Sequence, residues 1–467
     1  MSLRPLLVAS ALSVLVLGGC SGSRAGQIVD DTPGSAAHLT PRALADTPFE
    51  RTWNLALGEA VHTSWTSPAM PEVIFFQLAE SRRVIAVDAF SGTTRWVTEA
   101  MPDLIQLPPS AVRSRLPAAR AGQVLTEDRV FILAQDVLHV IDGATGHLVW
   151  RYTLPFSPST GPTAVGTDAS LRVFIGDWSG RLQTVAYHQE KNFPYVVWQW
   201  PVGASLGATP VEFDEQVYLG DHHGVVGAYK LDRAQAWQRE LGGGIYGSPL
   251  ARERVLYVGN TDGILYAINR LTGEPLGKLN LGSPILRAPF AFKNEPNRVY
   301  VWTGLADGVQ TLVAINAQSD NVPFADTARH ALEVVRLGVE WRRPSFERLV
   351  GSTPEYLYGT TAGSFLVQAL NRRTGRIDWT WDAASVFPRS SLEHLLTYQD
   401  PRDRLRSIIA IDDEGKVVVH RFLGVAAGDH DDVPAPAEAA PVLAPSKAKL
   451  AKDAAAKEKE AAAAPAK

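Results

Sequence analysis

The chain has 467 residues, with 45 Lys and Arg against 49 Asp and Glu, a formal charge of −4 that offers no basic surface for neutralising nucleic-acid phosphates. Apolar residues make up 45% and charged residues 20%, ordinary globular usage that rules out wholesale disorder. A single cysteine, Cys20, excludes an internal disulfide framework and every multi-cysteine metal site.

Residues 1–19 carry Arg4, an apolar run from Leu6 to Leu17, then Gly18 and Gly19. A run of about a dozen residues falls short of the roughly 20 that a spanning helix needs, and suits the core of a signal peptide. Leu17-Gly18-Gly19-Cys20 resembles the bacterial lipobox, which implies that the Cys20 thiol takes a lipid and becomes the mature N-terminus. Ser21 follows, without the aspartate associated with inner-membrane retention, so the resemblance implies an outer-membrane anchor on the periplasmic face. A plain secretory signal with a chance cysteine is the alternative. Residues 20–48, rich in Ser, Gly, Ala and Pro without sustained period, read as a flexible tether.

Residues 49–424 repeat. Short apolar runs end in Asp88, Asp142, Asn269, Asn316 and Asn371, and four of them continue into Ser91-Gly92, Thr145-Gly146, Thr272-Gly273 and Thr374-Gly375. The Asp or Asn side chain can accept bonds from backbone amides two residues on, and the glycine tolerates positive φ, so each pattern predicts a tight reversal between antiparallel strands. Trp96, Trp150 and Trp379 follow eight residues after the Asp or Asn, as plates for a neighbouring unit; Phe324 holds that offset from Asn316, and Leu276 and Leu279 are the candidates after Asn269. A second set of hairpins is signalled by Gly176-Asp177-Trp178-Ser179-Gly180, Gly220-Asp221-His222-His223-Gly224 and Gly259-Asn260-Thr261-Asp262-Gly263, with Gly415 in the same position. Eight equivalent positions result: Asp88, Asp142, Ala186, Lys230, Asn269, Asn316, Asn371 and Arg421. A mean spacing of about 48 residues fits four short strands per unit. Pro68, Pro162, Pro210, Pro249 and Pro289 are expected to open innermost strands, where a missing amide matters least.

These units predict an all-β, eight-bladed β-propeller of four-stranded antiparallel blades. The eighth unit runs out after Arg421, while Arg51-Thr52-Trp53-Asn54-Leu55-Ala56-Leu57 resembles an outer strand, so an N-terminal strand is expected to close the ring. A parallel solenoid is the structural alternative. Ala86-x-Asp88-x-x-Ser91-Gly92-x-x-x-Trp96 and Ala369-x-Asn371-x-x-Thr374-Gly375-x-x-x-Trp379 resemble the tryptophan-docking repeat of pyrroloquinoline-quinone-type propellers. Together with the lipobox, the chain is similar to the outer-membrane β-barrel assembly lipoproteins within that family. The resemblance implies a lipid-anchored, non-catalytic scaffold whose partners are the membrane and envelope proteins, the barrel-assembly machinery among the candidates, with no cofactor.

Two other readings stand beside it. A quinone-dependent dehydrogenase of the same fold often carries a vicinal disulfide, which Cys20 alone cannot supply, and no Asp-rich loop has calcium spacing. Asp177-Trp178 and Asp221-His222-His223 are the most enzyme-like clusters, yet they fall at equivalent turns. A scaffold or binding module of a different envelope complex would use loop insertions at 101–120, 322–343 and 387–406. Their arginines (Arg113, Arg115, Arg120, Arg342, Arg343, Arg402, Arg404, Arg406) are candidates to dock carboxylates, or else solvated loop charges. Residues 425–467 are rich in Ala, Pro, Lys and Glu and read as a disordered or marginally helical tail. His430 among Asp429, Asp431 and Asp432 is not expected to hold a metal.

Overall fold

Eight four-stranded sheets are arranged as blades around a ring in a computed structural model of the chain. It describes residues 27–28 and 49–422, apart from 117–124, 167–170, 189–190, 192, 232–234, 293, 305–308, 324–330, 347, 362–365, 383–393, 400–404 and 412–413. From the axis outward, blade one is Val61–Ser67, Met70–Leu78, Val84–Asp88 and Thr94–Val97. Blade two is Ser110–Leu116, Leu125–Ala134, Val137–Asp142 and Leu148–Thr153. Blades three to five follow the same order through Phe193–Pro201, Gln235–Glu240 and Pro275–Asn280 as outer strands, and blade seven ends in Ile377–Asp382.

The burial of these strands follows from their place in the stack. Val84, Ile85, Ala86 and Val87 are buried on both faces, because each blade is sandwiched between two others, and a doubly covered strand reads as a continuous apolar run. The outer strand Thr94–Val97 buries only Trp96. The core is therefore a series of inter-blade layers. One joins Val73, Phe75, Ala86 and Trp96 of blade one to Val130 and Ile132 of blade two.

The N-terminal strand closes the ring. Phe49–Ala56 pairs antiparallel with Lys416–Phe422, from Phe49 opposite Phe422 to Ala56 opposite Lys416, and completes blade eight. Gly176, Gly220 and Gly259 end second strands ahead of the hairpins expected there. Pro162, Pro210, Pro249 and Pro289 stand immediately before inner-strand positions, the last before the Phe290–Tyr300 bridge of blade six. Pro68 differs: it lies in the turn between Val61–Ser67 and Met70–Leu78, because the inner strand of blade one begins earlier than the repeat spacing indicates.

Blade six departs from the pattern. Its hairpin Thr311–Pro323 and Ala331–Pro344 is much longer than its counterparts, so the segment expected as a loop insertion is paired strand up to Pro323 and again from Ala331. Arg343 sits on this hairpin buried at 5% exposure, not on an open loop. Arg113 likewise belongs to the inner strand of blade two, where it binds Glu72 and Asp128. Gln27–Ile28, inside the segment read as a flexible tether, forms a strand parallel to Trp341–Arg342 on the outer edge of blade six. Cys20, Phe324, Arg120, Arg402, Arg404, His430 and the tail 425–467 lie outside the described residues.

Candidate functional site

The recurring motif residues form an inter-blade clasp. Asp88 Oδ1 accepts bonds from the Phe90 amide at 3.0 Å and the Ser91 amide at 2.9 Å; Asp142 Oδ1 does the same for Ala144 and Thr145. Asn269 and Asn371 repeat the arrangement with Leu271 and Thr272, and with Arg373 and Thr374. Gly92, Gly146, Gly273 and Gly375 then adopt φ of 72°, 75°, 75° and 71°, the left-handed region that side chains resist. The preceding blade's tryptophan lies flat on each of these glycines: Trp53 on Gly92, Trp96 on Gly146, Trp237 on Gly273 and Trp341 on Gly375. Each indole Nε1 donates to the carbonyl immediately after the Asp or Asn, at Ala89, Gly143, Arg270 and Arg372, over 2.8–3.2 Å.

Strand register shows which residue holds the docking position. Trp96, Trp150, Trp198, Trp237, Trp341, Trp379 and Trp53 lie opposite Ala86, Val140, Thr184, Ala228, Ala314, Ala369 and Val419, and a bulge adjoins each pair. Trp341, not Phe324, is the blade-six residue, because the long hairpin displaces it along the chain. In blade five the position is Gly277, opposite Ala267, rather than Leu276 or Leu279. Trp150 stacks on Tyr187 of blade three at 5.4 Å, and Trp379 lies beside Tyr356 and Tyr358.

Two arginines missed by pattern reasoning reinforce the clasp. Arg372 is 2% exposed, donates to Thr353 O at 2.7 Å and Glu295 Oε2 at 2.8 Å, and covers the Phe292 ring at 4.0 Å. Arg270 reaches Tyr218 and Asp214 and covers Phe213 in the same way. Both follow the turn Asn directly, and that shared position is the sequence signal that finds them.

The second-to-third-strand turns build one face of the ring. The turn at Asp177–Gly180 bonds to Ser157 and Val202, that at Asp221–Gly224 to Ser205 and Leu241, and that at Asn260–Gly263 to Gly244 and Leu281. These contacts weld turns and inter-blade connections of blades three to five into a continuous surface. Trp178 stands out from it at 61% exposure, and Tyr246 at 45% with the His222 ring stacked on it at 4.3 Å. The buried carboxylates beneath are occupied by their own turns. Asp177 accepts bonds from the Ser179 and Arg181 amides and Gln183 Nε2; Asp221 accepts them from the His223, Val225 and Ala204 amides. Among the described residues no three His, Cys, Asp or Glu side chains converge as a metal set.

A ring of eight blades, seven of which carry a tryptophan at the docking position, defines a PQQ-like repeat propeller. The profile of the family described as outer membrane protein assembly factor BamB matches residues 80–168, 183–328 and 222–423, and the chain belongs to that family. The crystal structure of BamB from Moraxella catarrhalis superposes with a TM-score of 0.53 at 18% identity, covering 81% of this chain and 98% of that one. Sqt1 of Saccharomyces cerevisiae superposes with a TM-score of 0.54 at 13% identity, over 79% and 98% of the two chains. These two likenesses describe the fold. The serine/threonine-protein kinase AfsK of Streptomyces griseus is 28% identical over 241 residues, which is 50% of this chain but only 28% of that kinase.

Proposed function

We propose that this protein is a lipid-anchored, non-catalytic scaffold that serves outer-membrane β-barrel assembly from the periplasmic face, held there through Cys20. The observation that carries the reading is the surface around Trp178 and the Tyr246–His222 stack: aromatic area stands exposed while the carboxylates below it are bonded to backbone. Exposed aromatics of this kind supply contact energy to a protein partner, whereas turn-bound carboxylates have most of their acceptor capacity taken by their own turns. Membership of the BamB family supports the choice of partner.

Gentle detergent extraction and pull-down of the full chain tests the reading. Recovery of the barrel-insertion machinery is expected, reduced at least about tenfold by Trp178→Ala, the loss of one central aromatic anchor. Recovery of a different envelope complex instead overturns the assembly role. Cys20→Ala is expected to move the protein from the membrane to the soluble fraction, and unchanged fractionation refutes lipidation. Quinone absorbance or calcium-dependent dye reduction by the purified protein would reinstate the dehydrogenase reading.

A further inference from the structure

Blade one ends its outer strand early. In blades two to five the outer strand runs three residues beyond the docking position, to Thr153, Pro201, Glu240 and Asn280, and an apolar residue follows: Leu154, Val202, Leu241 or Leu281. In blade one the strand stops at Val97, one residue past Trp96, because Thr98 closes it with its own side chain, Oγ1 accepting from the Val84 amide at 2.9 Å. The segment then carries one extra residue: Ala100 stands exposed, and Met101, buried at 5% exposure, takes the apolar place, its amide donating to the Arg82 carbonyl as that of Leu154 does to Asp136.

A groove lies between blades one and two, with Ala100 and Met101 on the side of blade one. At other blade junctions a polar side chain reaches back to the carbonyl of the apolar plug: Gln238 to Val202, Tyr266 to Leu241 and Arg342 to Leu281. His139 and Arg151, opposite each other in register, occupy those positions in blade two and make no such bond. They line a cavity of about 830 Å³ together with Val97, Ile141 and Leu148. His139 is 6% exposed, and its Nε2 has no hydrogen-bond partner among the described residues. Arg151 forms no ion pair among the described residues, while Val97 and Leu148 stand open at the mouth. A buried imidazole nitrogen without a partner, beside an unpaired guanidinium and apolar walls, is a site prepared for an amphipathic acid.

The molecule itself indicates the form of the occupant. Gln27–Ile28 adds in parallel to the outer edge of blade six at Trp341–Arg342, and these residues are the counterparts of Trp150–Arg151 in blade two. The edge of an outer strand at this position therefore accepts an extended segment. On blade six the space behind is closed by Arg342 and Leu281; on blade two it is open.

We propose that the outer edge of blade two receives an extended acidic segment of a partner protein as an added strand along Trp150–Arg151, its carboxylate on Arg151 and its apolar i±2 neighbours in the groove. Alternation along a strand places those side chains on one face, the face shared by His139 and Arg151. The assignment is independent of the identity of the envelope partner and uses a different surface from Trp178.

Blocked seven-residue peptides with a central glutamate, flanked at i±2 by valine, leucine or phenylalanine, test it on the full chain. At least one is expected to bind and to slow hydrogen exchange of the amides at 148–153. Replacing glutamate by glutamine should weaken it about tenfold, as should Arg151→Gln with the glutamate peptide, while Arg151→Gln leaves the glutamine peptide unaffected. Ala100→Trp, which fills the groove from an exposed position, should abolish binding without lowering the thermal midpoint. The proposal is overturned if no peptide binds below about 1 mM. It is equally overturned if binding ignores both substitutions, if decanoate occupies the groove and the peptides do not displace it, or if sedimentation shows a second copy of the chain on this edge that Ala100→Trp removes.

Discussion

Gly277 of blade five lies directly beneath the Val335 carbonyl of blade six, with no room for a Cβ between them. Every other blade places tryptophan at this register position. The exception has a cause in the neighbour. Blade six has no tight Thr-Gly reversal to receive an indole, since its two strands continue through Thr311–Pro323 and Ala331–Pro344 and lay their own backbone across the gap.

Gly277→Ala should therefore destabilise the ring by about 1–3 kcal/mol, the range for overpacking a close contact, even though alanine suits most strands better than glycine. Urea unfolding measures it; a neutral or stabilising alanine would show that Val335 yields freely.

Trp96 and Gly146 should behave as a coupled pair. Trp96→Ala removes a buried ring bonded to the Gly143 carbonyl and is expected to cost about 3–5 kcal/mol. Gly146→Ala forces a Cβ to 2.7 Å from that ring on a backbone with φ of 75°, so it should cost more than the roughly 1–2 kcal/mol of the left-handed backbone alone. The double variant should lose less than the sum, because the clash disappears with the indole. Strict additivity in a double-mutant cycle would separate the two residues.

The buried arginine of blade seven gives a third prediction. Arg372→Ala takes one of two guanidinium partners from Glu295, which keeps Arg298 and the Tyr300 hydroxyl, and removes the donor to the Thr353 carbonyl; it should cost about 1.5–3 kcal/mol, the range for a hydrogen bond to a charged group. Glu295→Gln keeps an acceptor for the guanidinium and should cost clearly less. Equal losses would mean that the charge on Glu295, rather than Arg372's packing over Phe292, carries the interaction.

Acid should weaken the fold before the Asp88 carboxyl titrates. Burial, assisted by the Arg151 charge, pushes the His139 imidazole down to about 4, and burial with Arg51 does the same to His420. Both values lie below the ordinary histidine range near 6.5, so the unfolded chain binds more protons than the native one between these limits. Stability is therefore full above about pH 6.5, falls as the pH drops towards 4, and loses nothing further from these groups below that. The Asp88 carboxyl is held below its usual value despite its desolvation, through Arg95 and the Ser91 amide, and its contribution disappears only at lower pH. Urea midpoints across pH 4–7 should show the decline, and His139→Gln should reduce its slope; a flat profile in the wild-type chain would contradict the burial of neutral imidazoles.

Much of the ring was legible because its signals are local. Asp142 and Gly146 sit four residues apart, and their bond pattern requires only the chain between them. The outer strand with Trp53 was equally readable as an orphan in search of an edge, and Lys416–Phe422 supplies that edge. Trp198, Trp237 and Trp341 were not readable by spacing, since turns of unequal length carry them away from a fixed offset while register keeps them in line. Arg343 looked like a loop charge until the blade-six hairpin enclosed it.

The amino-acid sequence alone thus determined the repeat period, the reversals and the closure of the ring, since each depends on backbone chemistry within a few residues or on one unpaired edge. Only the tertiary structure decided which tryptophan rests on which glycine, why Gly277 must lack a side chain, and that a groove beside Ala100 and Met101 reaches His139 and Arg151. Those outcomes rest on contacts between blades, where the geometry of one strand sets the space left for another far along the chain.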